Sequence, residues 1–210
     1  MLIGISGKAR SGKDTFTGML LDALEKKQAS YIKMAYADDL KERVMKDFDL
    51  TYDQVYGDLK EVPDHRYCKP GSSAAFSSNP YEAFWTPREI LQYMGTEGYR
   101  HIDSKFWIKQ LFKKIDSSFI KNVIITDCRF PDEVDAVLEA GGIHIRVTRR
   151  NKDFVADTSH SSETSLDKYS FCNYTIKNDY DYFYLNIQAE EIANLIVKEE
   201  INNKTESGGK

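Results

Sequence analysis

The segment GISGKARSGKDTF, residues 4–16, restricts the fold more than any other stretch of the chain. It reads GxxxxGK from Gly7 to Lys13, directly after the short apolar run LIGIS and directly before TFTGMLLDALEKK, whose apolar residues recur at helical spacing. A loop of small residues between a strand and a helix wraps successive backbone N–H groups around phosphate oxygens, and the helix N-terminus adds about half a positive charge. Gly7, Arg10, Ser11 and Gly12 shape that loop, and Lys13 is placed to reach the terminal phosphates of a polyphosphate. Asp14 departs from the pattern, standing where a serine or threonine is expected to ligate the magnesium that bridges transferred phosphates. Magnesium takes carboxylate oxygens directly or through water, so Asp14 is a candidate ligand and Thr15 a second. The competing reading is that Asp14 is only a favourable acid in the first helical turn.

With 210 residues, 41% of them hydrophobic and 30% charged, the chain suits one well-buried domain carrying an inserted lobe. A net charge of −4 gives no electrostatic footprint for nucleic acid or an anionic membrane, so any anion must be held locally. The three cysteines, Cys68, Cys128 and Cys172, lack a CxxC pair, which suggests neither a disulfide framework nor a zinc cluster. No apolar run approaches the roughly 20 residues of a membrane span. The chain reads as cytoplasmic.

Five strand patterns, at 2–6, 31–37, 123–127, 143–147 and 173–178, alternate with helical ones. That alternation predicts an α/β fold, a parallel sheet covered on both faces with ligands at the carboxyl ends of its strands. The expected core is 1–50 with 120–201. A lobe is expected at about 51–119, a lid at about 149–163 and a disordered tail at 202–210. Within the lobe, Thr86, Pro87 and Glu89 form a strong helix-start signal.

Asp127 ends an apolar strand, where it would hold magnesium through water, orient an acceptor, or simply close a turn. Arg129, two residues on, suits a two-pronged clamp on phosphate. Arg149 and Arg150 open the basic segment expected to act as a lid; Arg146, inside a strand, is read as facing outward or salt-bridged. His160, beside Glu163, has no second ligand at metal spacing and is not assigned a role. Trp107 is either core or an aromatic platform for a nucleobase. Arg88 and Gln92 lie one helical turn apart and present polar groups on one face.

GKARSGKDT, TPREILQYMGTE followed by FW, and ITDCRFPDEVDAVLEAGG, in that order, resemble the deoxynucleoside monophosphate kinases of tailed bacteriophages. A looser likeness links the loop and the strand end to animal phosphomevalonate kinases. The phage resemblance implies a P-loop kinase three-layer sandwich that uses ATP and Mg2+ to phosphorylate a deoxynucleoside monophosphate for viral DNA synthesis in the host cytoplasm; a homodimer is compatible with it. It implies that Arg10, Gly12, Lys13, Asp14 and Thr15 hold ATP and metal. Gly95, Thr96 and Trp107 would contact the acceptor, Asp127, Arg129 and Glu133 would lie on its side of the cleft, and Arg66 would grip its phosphate. Two other readings stay open: a kinase of another small phosphorylated metabolite, and a regulatory ATPase.

Overall fold

The computed structural model describes residues 1–72, 79–150 and 161–207. Its five strands are β1 (Leu2–Ser6), β2 (Ile32–Met34), β3 (Val123–Cys128), β4 (Ile143–Thr148) and β5 (Tyr174–Lys177). They form one sheet in the order β2-β3-β1-β4-β5 with every pairing parallel, as the alternation predicted. Helix α1 (Lys13–Lys26) follows β1, and α2 (Ala37–Asp47), α3 (Tyr52–Val55), α4 (Pro80–Ala83), α5 (Pro87–Tyr93) and α6 (Phe106–Ser117) lie between β2 and β3. Helix α7 (Pro131–Glu139) follows β3, α8 (Ser161–Thr164) precedes β5, and α9 (Tyr182–Ser207) closes the chain, running through most of the segment expected as a tail.

The chain divides into two compact units: Met1–Ala35 with Leu111–Lys210, and Tyr36–Gln110. In the first unit, Ile3, Ile5, Ile124 and Ile145 project from the sheet onto Phe16, Leu20 and Leu24 of α1 and Leu185, Ala189 and Ile196 of α9. The opposite face is closed by α7, so close to Gly4 that a Cβ there would meet the Cys128 Sγ at 3.0 Å and Val137 at 3.3 Å. Continuous apolar strands are what a sheet buried on both faces requires. Neighbouring β1 and β4 send their connections toward opposite edges, which opens a crevice beyond their carboxyl ends.

The second unit begins at Tyr36 rather than near residue 51, because α2 packs on α3, α5 and the turn after α5. Thr86 and Glu89 form the reciprocal cap that starts α5, with Thr86 N donating to Glu89 Oε2 at 2.8 Å. A similar box, Thr51 with Gln54, starts α3. After α5 the backbone widens into a π-helical run, Met94–Arg100, which contains the GTE segment. Residues 64–69 pair with 83–85 through Asp64 N to Trp85 O, Trp85 N to Tyr67 O and Lys69 N to Ala83 O.

Candidate active site

The loop after β1 joins the strand directly to α1. Gly7 lies at φ +151°, Arg10 at +60° and Gly12 at +91°, and Ser11 N donates back to Lys8 O at 3.1 Å. Gly12 is the N-cap of α1 and, lacking a side chain, makes no cap hydrogen bond of its own; a glycine-capped helix N-terminus directly after a strand is the setting in which backbone N–H groups receive an anion. Ser11 is 4% exposed, lines the adjoining cavity, and its Oγ has no hydrogen-bond partner. A buried hydroxyl without a partner costs on the order of 1–3 kcal/mol, a penalty that a bound oxyanion removes. Lys13 Nζ donates to Gly7 O at 2.6 Å and Lys8 O at 2.9 Å, so the ammonium rests on the loop's own carbonyls.

Beside the loop lies a cavity of about 410 Å3 lined by Gly7, Ser11, Arg129, Arg146 and Arg149 among others. The structure thus joins three of the expected residue groups within the first unit. Glu133, only 3% exposed, accepts from Arg129 N at 2.7 Å and Phe130 N at 3.1 Å, fixing the turn that presents Arg129. Asp127 is half-buried near the end of β3. Arg146 donates to Tyr169 O, and its side chain reaches the cavity from within β4. Arg150 turns away, its N–H on Asp179 Oδ1 at 2.6 Å and its guanidinium 3.6 Å from Asp179 Oδ2. Most of the expected lid, with His160, falls outside the described residues.

Asp14 stands exposed in the first turn of α1, 3.7 Å from Lys33 Nζ, and Thr15 is half-buried beside it. Among the described residues no three His, Cys, Asp or Glu side chains gather as a metal cage. Magnesium commonly takes only one or two protein oxygens and completes its shell with water and phosphate, so this donor set fits it.

Sequence reasoning missed the histidine beneath the loop. His144 on β4 is fully buried, its Nε2 2.7 Å from Ser6 Oγ and its Nδ1 3.1 Å from Phe171 O. A carbonyl only accepts, so Nδ1 carries the proton and Ser6 donates to Nε2. Burial pushes the imidazole down to about 4, with Arg146 adding to the same direction. A histidine held below its unfolded value of about 6.5 gives stability that is complete above that pH and lost as pH falls toward 4, at most about 3 kcal/mol. Urea midpoints measured between pH 7 and 4.5 should fall accordingly; a flat profile would contradict a neutral His144. Asp64 does not confuse this window: the hydrogen-bonded Arg66 guanidinium pulls it down to about 2, so its contribution is lost only below the ordinary carboxylate range.

In the second unit a cavity of about 430 Å3 is walled by Phe48, Arg66, Tyr67, Trp85, Tyr93 and Met94. Arg66 is held by Asp64, Nε to Oδ1 at 3.0 Å and Nη2 to Oδ2 at 2.7 Å, and stays partly exposed. Trp85 and Tyr93 rings lie 5.5 Å apart, and Lys69 Nζ sits 5.7 Å from the Trp85 ring. Trp107 is not on this wall. It is 4% exposed, edge-on to Tyr99 and Phe106, and its Nε1–H donates to Gly95 O at 3.0 Å. Gly95 is itself so close to Leu40 that a Cβ would lie 2.8 Å from it. Thr96 follows in the π-helical run, Arg88 is paired with Glu61, and Gln92 is half-buried on α5. The signal for Trp85 was present in the sequence as an aromatic just before the Thr86 cap, without a period to give it a face.

No helix among the described residues is long and apolar enough to cross a membrane. Residues 68–187 match the deoxynucleotide monophosphate kinase family. The chain is 31% identical over 183 residues to a protein of Acanthamoeba polyphaga mimivirus provisionally named a deoxynucleotide monophosphate kinase, covering 79% of this chain and 82% of that one. It is 23% identical over 212 residues to the deoxynucleoside-5'-monophosphate kinase of Escherichia phage T5, covering 79% and 85% respectively. A shikimate kinase from Bacteroides thetaiotaomicron is a looser structural neighbour, with a TM-score of 0.44 at 14% identity over 93% of this chain and 98% of that one.

Proposed function

Because the chain belongs to the deoxynucleotide monophosphate kinase family, we propose that it transfers the γ-phosphoryl group of ATP to deoxynucleoside 5'-monophosphates, supplying diphosphates for viral DNA synthesis in the host cytoplasm. The observation that carries the donor half is the buried, unpartnered Ser11 hydroxyl beside the glycine-capped start of α1. Gly7, Arg10, Ser11 and Gly12 cradle the phosphates, and Lys13 exchanges its loop carbonyls for the β- and γ-phosphate oxygens. Asp14, with Thr15 beside it, would hold magnesium directly or through water; magnesium, when bound, neutralises phosphate charge and sets the geometry of the transferred group.

The acceptor is a phosphate oxygen already ionised at neutral pH, so no general base is needed and positioning with charge neutralisation supplies the rate. Arg129 and Arg149, both on the cavity beside the loop, provide that charge. Asp127 orients the acceptor side, and Glu133 acts on Arg129 by holding its backbone. For the acceptor itself, the cavity of the second unit offers what a nucleotide needs: a guanidinium held in one orientation by Asp64, and the Trp85 and Tyr93 faces for a base. Trp107, Gly95 and Thr96 then serve the acceptor by setting the backbone after α5, and Arg88 and Gln92 add polar groups on α5.

The direct test is a coupled ADP-release assay with ATP and magnesium, offering each deoxynucleoside monophosphate, its ribose counterpart, phosphomevalonate and no acceptor. Turnover with deoxynucleotides is expected; turnover with phosphomevalonate alone, or hydrolysis indifferent to acceptor, would overturn the reading. Trp85→Ala should raise the acceptor KM by about 10- to 100-fold, the scale of one lost stacking contact, with the ATP KM unchanged. An unchanged acceptor KM would move the base elsewhere.

A further inference from the structure

We propose that His144 is a positioning residue for the phosphate loop, acting through the Ser6 hydroxyl; the inference rests on the reading that this loop binds ATP. Ser6 is the last residue of β1 and the one directly before Gly7, so its backbone sets the direction in which the loop leaves the sheet. The ladder is weakest there. On the β3 side β1 pairs in step through Gly4 with Ile125, and then slips so that Ser6 faces Cys128. On the β4 side the register is kept, and from that side His144 reaches Ser6 Oγ at 2.7 Å.

His144 is itself fixed from behind. Its Nδ1 donates to Phe171 O, its N–H donates to Asn173 Oδ1 at 2.8 Å, and Asn173 N returns a bond to His144 O at 2.9 Å. The imidazole therefore ties the entry of the loop to the strand that follows residue 170. At the exit, Asn178 Nδ2 donates to Ser11 O at 3.0 Å, so side chains from β4 and from the end of β5 hold the two ends of one loop. A pair of apolar side chains would fill this buried site without desolvating two polar groups. What the hydroxyl and imidazole add is direction, and the groups that benefit from a fixed direction are the loop N–H donors, whose hydrogen bonds to phosphate weaken steeply with misalignment.

The test measures equilibrium ATP binding by calorimetry, apart from turnover, for wild type, Ser6→Ala, His144→Phe, His144→Gln and the Ser6→Ala/His144→Phe pair, with thermal unfolding of each. Ser6→Ala should bind ATP about tenfold more weakly, the loss of roughly one directed hydrogen bond. Its melting temperature should stay near wild type, and kcat at saturating ATP should remain within about twofold, as expected when ground and transition states lose the same contact. His144→Phe should show a similar loss that does not deepen when Ser6 is already alanine. His144→Gln, whose amide oxygen can accept from Ser6, should recover most of the affinity. ATP binding by Ser6→Ala within twofold of wild type would overturn the proposal, as would additive losses in the double variant. If His144→Phe does not fold, Ser6→Ala and His144→Gln still decide it. Failure of wild type to bind ATP would instead refute the function proposed for the loop.

Discussion

Lys13→Ala is expected to lower phosphoryl transfer by at least about a thousandfold while leaving the melting temperature almost unchanged. Removing one preorganised neutral donor from a transition-state site costs about 100- to 1000-fold, and a full positive charge aimed at the transferred group is worth at least that. The fold has little to lose. Among its partners the ammonium holds Gly7 O and Lys8 O, loop carbonyls that water can reach once the side chain is gone. Steady-state turnover with a deoxynucleotide acceptor, read beside a thermal melt, checks both halves. A folded variant retaining a tenth of the activity would remove Lys13 from the chemistry.

Gly7→Ala should act in the opposite way, through the fold first. The position lies at φ +151°, and a Cβ there would stand 2.3 Å from Val147 O and 2.7 Å from Ser11 Oγ. Val147 lies near the end of β4 and is paired with Ile176 of β5, so its carbonyl cannot retreat without disturbing the sheet, and the clash and the backbone strain together should cost about 3–5 kcal/mol. Gly12 makes the contrast. A Cβ there meets Asn178 Nδ2 at 2.2 Å, the end of a side chain that can swing aside, although its φ of +91° still disfavours alanine. Urea unfolding of the two variants should therefore rank Gly7→Ala well below Gly12→Ala. Equal stabilities would show that the loop moves as a unit away from β4.

The sheet and the phosphate loop were legible because each rests on a local signal. LIGIS, the VIIT run and IHIRV are apolar stretches of strand length next to glycines or to a proline-started helix, and they became β1, β3 and β4. The Thr86 cap was equally local, since both of its hydrogen bonds are made within four residues. What escaped was long-range. The pairing of 64–69 with 83–85 has too few residues to alternate, so nothing in the sequence distinguishes it from loop. Trp107 and Trp85 could not be told apart by composition; only the packing puts the first against Gly95 and the second on a cavity wall. Ser6 and His144 lie 138 positions apart, and their contact exists because β1 and β4 are neighbours, a fact of topology that no spacing along the chain records.

The second compact unit is one uninterrupted stretch, Tyr36–Gln110, which lies between β2 and β3 in the sequence. Its cavity wall, with Arg66, Trp85 and Tyr93, is encoded wholly inside that stretch, while the residues of the phosphate loop and those that hold it, Ser6, His144 and Asn178, are encoded wholly outside it. A single exchange of this segment between related genes would replace every lining residue of that cavity at once and leave the loop after β1 untouched. With the acceptor and donor sites as proposed above, lineages that meet different pools of nucleotides would have a route to new acceptor ranges that does not pass through variants with a damaged donor site.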